Sequence, residues 1–234
     1  MKNITFQSVF DTPTVKMANL NELGQTPDGR TWHYLYATEA ITKHMVTSRP
    51  AVTGVDTVSS AASEQDSTKY IYITEAAAGW TVGAYQDHWV IVDSGTGVGQ
   101  LGKIKDNTTT TLELYFDHAF TTALAVADSD ITILHQPDAE KIAITNQYTE
   151  ANGIAQVTFG AADYGWFLVR GIGGIIMGTG AGTINYNACP GDDTEGYAVN
   201  MDAGDTLEEF APLGRLVAIS DTADKACLID AKIM

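Results

Sequence analysis

The sequence predicts an all-β protein, built of sandwich or barrel-type antiparallel β domains behind an extended N-terminal arm. Three observations predict it. Short runs rich in aromatic and β-branched residues recur along most of the chain, and Gly, Asp and Asn divide them. No window sustains a 3.6-residue apolar period with caps for three turns. Charged residues are only 18% and glycines number 22, a balance that suits turn-rich β structure and surfaces covered by neighbours. A chain of 234 residues has room for one large β domain or two small ones.

Residues 1 to about 30 carry Pro13, Gly24, Pro27 and Gly29 and little strand pattern, so they read as the arm. Their apolar residues, Ile4, Phe6, Val9, Phe10, Val15 and Leu20, fit neither a sustained helix nor a long alternating strand. Such a segment alone buries too little apolar surface to offset its ordering entropy. The arm is therefore expected to be ordered by a neighbouring subunit or a shell, with Phe6 and Phe10 as its anchors. The β body is expected to fold without residues 1–24.

Residues 31–136 read as a first β region, with strands at 31–37, 69–74, 88–92, 110–116 and 130–134. The windows 38–44 and 76–80 are read as able to hold a helical turn or two. The segment 55–67, poor in apolar residues, reads as an exposed loop. A hinge is expected at 136–138. Residues 137–234 read as a second, more Gly-rich β region, with strands at 142–145, 155–159, 165–170, 183–186 and 215–220. The two regions could also form one continuous β domain.

The net charge is −16. Such a chain repels nucleic acid, whose binding by counterion release needs Lys and Arg, so no direct nucleic-acid partner is expected. No stretch approaches eighteen apolar residues, so no transmembrane helix and no membrane partner are expected. The first residues, Met1-Lys2-Asn3-Ile4-Thr5-Phe6, have no apolar core of a signal peptide. Cys189 and Cys227 make no disulfide framework and no zinc motif. Two free thiols, as in a reducing cytoplasm, are the simpler expectation.

Each motif that could carry chemistry has a structural reading that accounts for it better. Gly97-Val98-Gly99-Gln100-Leu101-Gly102 matches GxGxxG, but the dinucleotide loop must open a helix. Here it leads to Lys103-Ile104-Lys105 and then to four threonines, poor helix formers, so a β–β connection is expected. The histidines His33, His44, His88, His118 and His135 lie in no catalytic or metal signature, although Asp87-His88 and Asp117-His118 are adjacent in sequence. Neighbours in a strand point to opposite faces, so adjacency does not pair them. Carboxylates cluster at Asp192, Asp193 and Glu195 and at Asp202, Asp205, Glu208 and Glu209. Paired across a cleft they could hydrolyse a glycosidic bond or hold Ca²⁺. No run has EF-hand spacing, and solvated loops explain the clusters. Trp89 and Trp166 sit in apolar strands and are expected in the core. No catalytic residue, cofactor or metal is assigned.

The segment Gln25-Thr26-Pro27-Asp28-Gly29-Arg30-Thr31-Trp32-His33-Tyr34-Leu35 resembles an opening found in head proteins of tailed bacteriophages, where a Pro-Asp-Gly-Arg turn feeds an aromatic-rich strand. Residues 85–102 and 164–171, with 212–217, are similar in pattern to the same proteins. The resemblance is to the decoration or cement kind. It implies a non-enzymatic virion structural protein on the capsid exterior, assembled in the host bacterial cytoplasm. Its partners would be the major capsid protein and itself, as a homotrimer that bridges capsid subunits and favours the expanded shell. The chain is larger than the smallest decoration proteins, which leaves room for a major-shell or head-fibre role. Two other classes remain open. One is a β-sandwich carbohydrate-binding module of a phage fibre or bacterial surface, favoured by exposed aromatics in a groove. The other is a hydrolase using the carboxylates between 192 and 209.

Overall fold

The computed structural model describes residues 1–50, 53–55, 60–63, 68–135, 138–141, 151–178, 186–190, 194–200, 212–218 and 226–233, with backbone alone at 53–55, 60–63 and 140–141. The expected strands at 142–145 and most of 183–186 lie outside the described residues, as do the carboxylates at 192, 193 and 202–209. The chain is all-β. Its strands are β1 (Lys2–Asn3), β2 (Leu23–Gln25), β3 (Thr31–Ala37), β4 (Val46–Ser48), β5 (Thr53–Val55), β6 (Ser60–Ser63), β7 (Tyr70–Thr74), β8 (Trp89–Ser94) and β9 (Leu101–Asn107). There follow β10 (Thr111–Leu114), β11 (Asp130–Leu134), β12 (Asp138–Lys141), β13 (Ala151–Ile154), β14 (Tyr164–Ile176), β15 (Asn187–Pro190), β16 (Ala198–Asn200), β17 (Gly214–Ala218) and β18 (Ala226–Lys232). Single turns of 3₁₀ helix stand at Gln7–Val9 and Phe116–His118. The windows 38–44 and 76–80 hold bends and turns but no helix, and Ser60–Ser63, expected in a loop, is a strand.

The chain divides into two compact units, Met1–Pro50 with Pro137–Met234, and Ala51–Gln136. This division differs from the expected one. Residues 31–50 belong with the C-terminal half, and the middle unit is an insertion. The reason lies in one pair of strands: β4 and β12 are antiparallel neighbours, Glu140 opposite Ser48 and Lys141 opposite Thr47. The chain between them therefore replaces the turn of a hairpin with a whole unit, as insertions at surface turns allow.

The first unit is an eleven-stranded sheet in the order β1-β2-β3-β12-β4-β13-β14-β18-β17-β15-β16, with β3 paired also to β14. The pairings from β3 through β12, β4, β13 and β14 return to β3 and so close a ring of five strands. Strand alternation sorts the side chains of β3 and β14 between two cores. Trp32 and Tyr34 meet Trp166 and Leu168 on one face. Leu35 and Ala37 meet Phe167 on the other, together with Ile41, Ala155 and Phe159. The Phe159 and Phe167 rings stack at 4.4 Å. Buried polar groups bridge the ring's strands: Thr47 Oγ1 donates to Asn152 Oδ1 at 2.7 Å, and Asn152 Nδ2 donates to the Asp138 carbonyl at 2.7 Å. Within β14, Gly174 stands opposite Leu228 of β18, and the Gln156 side chain also donates to the Gly174 carbonyl and accepts from its N–H, both at 2.9 Å.

Strand β14 spans both halves of this sheet. Its residues from Tyr164 to Arg170 pair with β3, and those from Arg170 to Ile176 pair with β18. At the handover Gly171 adopts φ +102°, and a Cβ there would fall 2.7 Å from Arg30 Cγ. Glycine is required for both reasons.

The N-terminal stretch is not a free arm. β1 pairs in parallel with β2, and β2 pairs with β3, so residues 1–25 form the edge of the eleven-stranded sheet. Ile4, Val9 and Leu20 are buried in the core with Trp32 and Trp166. Tyr164 N–H donates to the Pro13 carbonyl at 2.8 Å. The apolar positions defy any regular period because the stretch turns back on the sheet between its two short strands. Cys189 and Cys227 are buried free thiols.

The second unit is a seven-stranded sheet in the order β5-β11-β8-β9-β10-β7-β6. Ile73, Val90, Val92, Ile104, Leu112, Ile131 and Ile133 alternate onto its core face. Trp89 alternates to the other face, half-buried, with its ring 5.4 Å from that of His118. It is not a core residue, because Val90 and Val92 take the inner positions of that strand. The GxGxxG stretch joins β8 to its antiparallel neighbour β9. Two residues before that stretch, Gly95 has φ +73°, and a Cβ would lie 1.9 Å from the Asp128 carbonyl oxygen.

Two outcomes follow from the first unit. Ile4→Ala and Leu20→Ala should each cost about 2–4 kcal/mol in a urea melt, as truncation of a buried aliphatic does. Deletion of residues 1–24 should abolish that unit's cooperative transition, and a transition that survives unchanged would show that the stretch is dispensable. The second outcome concerns pH. Burial, with Arg49 nearby, lowers the His33 pKa against the raising effect of its hydrogen bonds to the Asn152 and Asn21 backbone. Burial, with Lys43, lowers that of His44. Both favour the neutral ring in the folded state, so their contribution is complete above the unfolded value of about 6.5 and is lost as pH falls below it. The melting temperature should drop between pH 7 and pH 5, and by less in His33→Gln. An identical drop in the variant would exclude His33 as a source.

Candidate functional site

The turn that opens β3 is built by its own side chains. Thr26 N–H donates to the Arg30 carbonyl and Gly29 N–H to the Thr26 carbonyl, at 3.0 and 2.9 Å. Pro27 presets its φ, and Gly29 takes φ +86°. Asp28 sits inside the loop. Its Oδ1 accepts from Thr26 Oγ1 at 2.6 Å and from Arg30 N–H at 3.3 Å, and its Oδ2 accepts from Arg30 Nε at 2.6 Å. Burial opposes ionisation of this carboxyl, but the Thr26 hydroxyl and the Arg30 backbone and guanidinium outweigh it and hold its pKa below the usual value. Thr26 Oγ1 also accepts from the buried Trp32 Nε1 at 3.1 Å, which ties the turn to the core.

Asp28 in turn positions the Arg30 guanidinium over two rings, 5.2 Å from the centroid of Trp32 and 5.7 Å from that of Phe6. Cation–π contacts of this kind contribute roughly 0.5–1 kcal/mol at exposed sites. The Pro-Asp-Gly-Arg motif thus reaches back to the N-terminal stretch and holds Phe6 against the sheet.

Phe6 and Phe10 bracket the 3₁₀ turn at Gln7–Val9, whose Val9 points into the core. Phe6 is 42% exposed and Phe10 52%. Further along the same stretch, Val15 is 68% and Met17 73% exposed. Met17 is fixed there: its N–H donates to Tyr34 Oη at 2.9 Å. A cavity of about 290 Å³ lies under the stretch, lined by Ile4, Ser8, Pro13, Met17, Tyr34 and Trp166 among others. The result is a set of exposed apolar side chains carried on backbone that the core holds in place. The two residues singled out from sequence stand on it. Asp28, Arg30 and Trp32, which set one of them in position, were visible only as a turn motif feeding a strand.

The other candidates fall elsewhere. His88 is buried in the second unit, its Nδ1 3.2 Å from the Gln86 carbonyl and its ring 5.1 Å from that of His135. His118 belongs to the outer face of the same unit, beside Trp89. Asp87, adjacent to His88 in sequence, turns instead to Lys103 Nζ at 3.3 Å and to Tyr115 Oη at 3.2 Å. No protein-family model, curated protein or solved structure matches the chain.

Asp28→Asn should loosen the turn at neutral pH. The wild-type carboxylate stabilises through a lowered pKa, so its contribution is present above the unfolded value of about 3.9 and disappears as pH falls through the folded one. The difference in melting temperature between wild type and variant should therefore shrink below pH 4. A difference that stays constant from pH 7 to pH 3 would show that the charge on Asp28 plays no part.

Proposed function

We propose that the protein is a non-enzymatic virion structural subunit of a tailed bacteriophage, one that decorates and stabilises the capsid by bridging its subunits. The observation that carries this reading is the group of exposed apolar side chains on the N-terminal stretch. Phe6, Phe10, Val15 and Met17 are exposed on a segment whose Ile4, Val9 and Leu20 are locked into the core. Large apolar groups presented on fixed backbone lose little conformational entropy when a partner covers them, which is what a durable contact needs. The all-β architecture agrees with the resemblance of residues 25–35 to phage head proteins. In this reading the partners are the major capsid protein and further copies of the chain in a homotrimer, and the place of work is the capsid exterior.

The action is thermodynamic. A subunit that binds the expanded shell more tightly than the unexpanded one shifts the shell toward expansion by its differential affinity. About half of each ring is already covered in the free chain, so completing the burial of Phe6 and Phe10 would contribute roughly 0.7–1.5 kcal/mol each.

Sedimentation of the full chain with empty shells of the cognate phage, expanded and unexpanded, tests the proposal. Binding to expanded shells is expected, reduced at least tenfold in the Phe6→Ala/Phe10→Ala double variant. Both rings are about half exposed and Phe6 also gives up its contact with Arg30, so the variant should lose no more than about 1–2 kcal/mol of stability and stay folded. Failure of the wild-type chain to sediment with either shell, or undiminished binding by the variant, would overturn it.

A further inference from the structure

The second unit carries a cleft of about 590 Å³ on the face opposite its core, unrelated to the apolar N-terminal surface. Strand alternation builds it. In β9, Gly102 and Ile104 turn inward while Lys103 and Lys105 turn out. In β10, Leu112 and Leu114 turn in and Glu113 turns out, opposite the outward Tyr72 of β7. The chain then leaves β10 through Tyr115 into the 3₁₀ turn, which sets Phe116, Asp117 and His118 along one wall.

Two kinds of group meet there. The aromatic groups are Tyr72, 37% exposed, Phe116, 46% exposed, and Tyr115. Lys69 Nζ stands 4.7 Å from the Phe116 ring centroid and donates to the Phe116 carbonyl at 2.9 Å, which fixes that ring while leaving much of it to solvent. The polar groups are also fixed. Lys105 Nζ meets Glu113 Oε1 at 2.5 Å. Lys103 Nζ meets the buried Asp87 at 3.3 Å and lies 5.5 Å from the Tyr115 centroid, and Tyr115 Oη donates to the same Asp87 carboxylate.

The charges balance. Of the lining residues, two carry ammonium groups, Lys103 and Lys105, and two carry carboxylates, Glu113 and Asp117, on a chain whose net charge is −16. A polyanion or a polycation would meet as much repulsion as attraction. The cleft instead offers flat apolar rings next to donors and acceptors already oriented. A pyranose has the complementary chemistry, with C–H faces that lie on aromatic rings and hydroxyl edges that both donate and accept. The volume falls within the usual range for small-molecule pockets. We infer that this cleft is a binding site for a neutral oligosaccharide, which stacks on Tyr72 and Phe116 and hydrogen-bonds to the Lys105–Glu113 pair. A structural subunit so equipped would carry a glycan-binding face as well as an assembly surface.

The test is saturation-transfer NMR and calorimetry on the full chain with a panel of neutral trisaccharides built from glucose, galactose, mannose and N-acetylglucosamine, beside a trigalacturonate of the same length. At least one neutral trisaccharide should bind with a dissociation constant at or below the millimolar range, and trigalacturonate should bind at least tenfold more weakly. Tyr72→Ala and Phe116→Ala should each weaken the neutral ligand at least tenfold with an unchanged melting temperature. Glu113→Gln, which keeps the shape, should weaken it less. No binding by any neutral member, preference for the anionic sugar, or binding that survives both aromatic substitutions would each overturn the inference. None of these outcomes bears on shell binding, which belongs to the other unit.

Discussion

The handover on β14 is the constraint on which the first unit depends. A single strand has to serve β3 along its first half and β18 along its second. At the junction the backbone must swing through φ +102° while Arg30 lies against it, and only a residue without a side chain permits both. Because Gly171 leaves that space, the Pro-Asp-Gly-Arg turn can seat on the sheet. Because the turn seats there, Arg30 reaches Phe6 and Trp32. The N-terminal stretch is thus fixed by a position more than a hundred residues away in the chain, and its apolar surface inherits that rigidity.

The insertion follows a similar economy of pairing. β4 and β12 would make an ordinary hairpin, and the chain between them becomes a second unit with its own sheet and core. Each unit can then be judged by its own faces. One presents large apolar side chains on backbone that its core holds in place, the kind of group that calls for cover. The other presents a balanced mixture of aromatic, basic and acidic groups, the kind of surface that suits a small polar ligand.

The sequence made the β class legible, and the reason is local. Runs such as 31–37 and 70–74 alternate onto a core on one or both faces, and alternation survives in the order of residues. Three other features were not legible, for identifiable reasons. The edge strands Lys2–Asn3 and Leu23–Gln25 are too short to show a period. The division of the chain failed at 30/31 because domains read from composition are contiguous, whereas the first unit is assembled from both ends of the chain. The strand Ser60–Ser63 consists of two serines and two alanines, so nothing in its residue types marked it as paired. Of the site, Phe6 and Phe10 were reachable as large apolar residues on a segment without a pattern. That Arg30 joins one of them to Trp32 depends on a tertiary approach that spacing does not encode. Trp89 was misplaced because a tryptophan in an apolar strand reads as core until its neighbours Val90 and Val92 are seen to take the inner face.

The central claim is that the fixed apolar surface at Phe6 and Phe10 exists to be covered by another chain. The most direct measurement is the mass of the full chain by multi-angle light scattering at micromolar concentration, alongside the Phe6→Ala/Phe10→Ala variant. Three chain masses for the wild type, falling toward one in the variant, is the expected result. A wild-type mass of one chain, or a trimer that both substitutions leave intact, would contradict the claim.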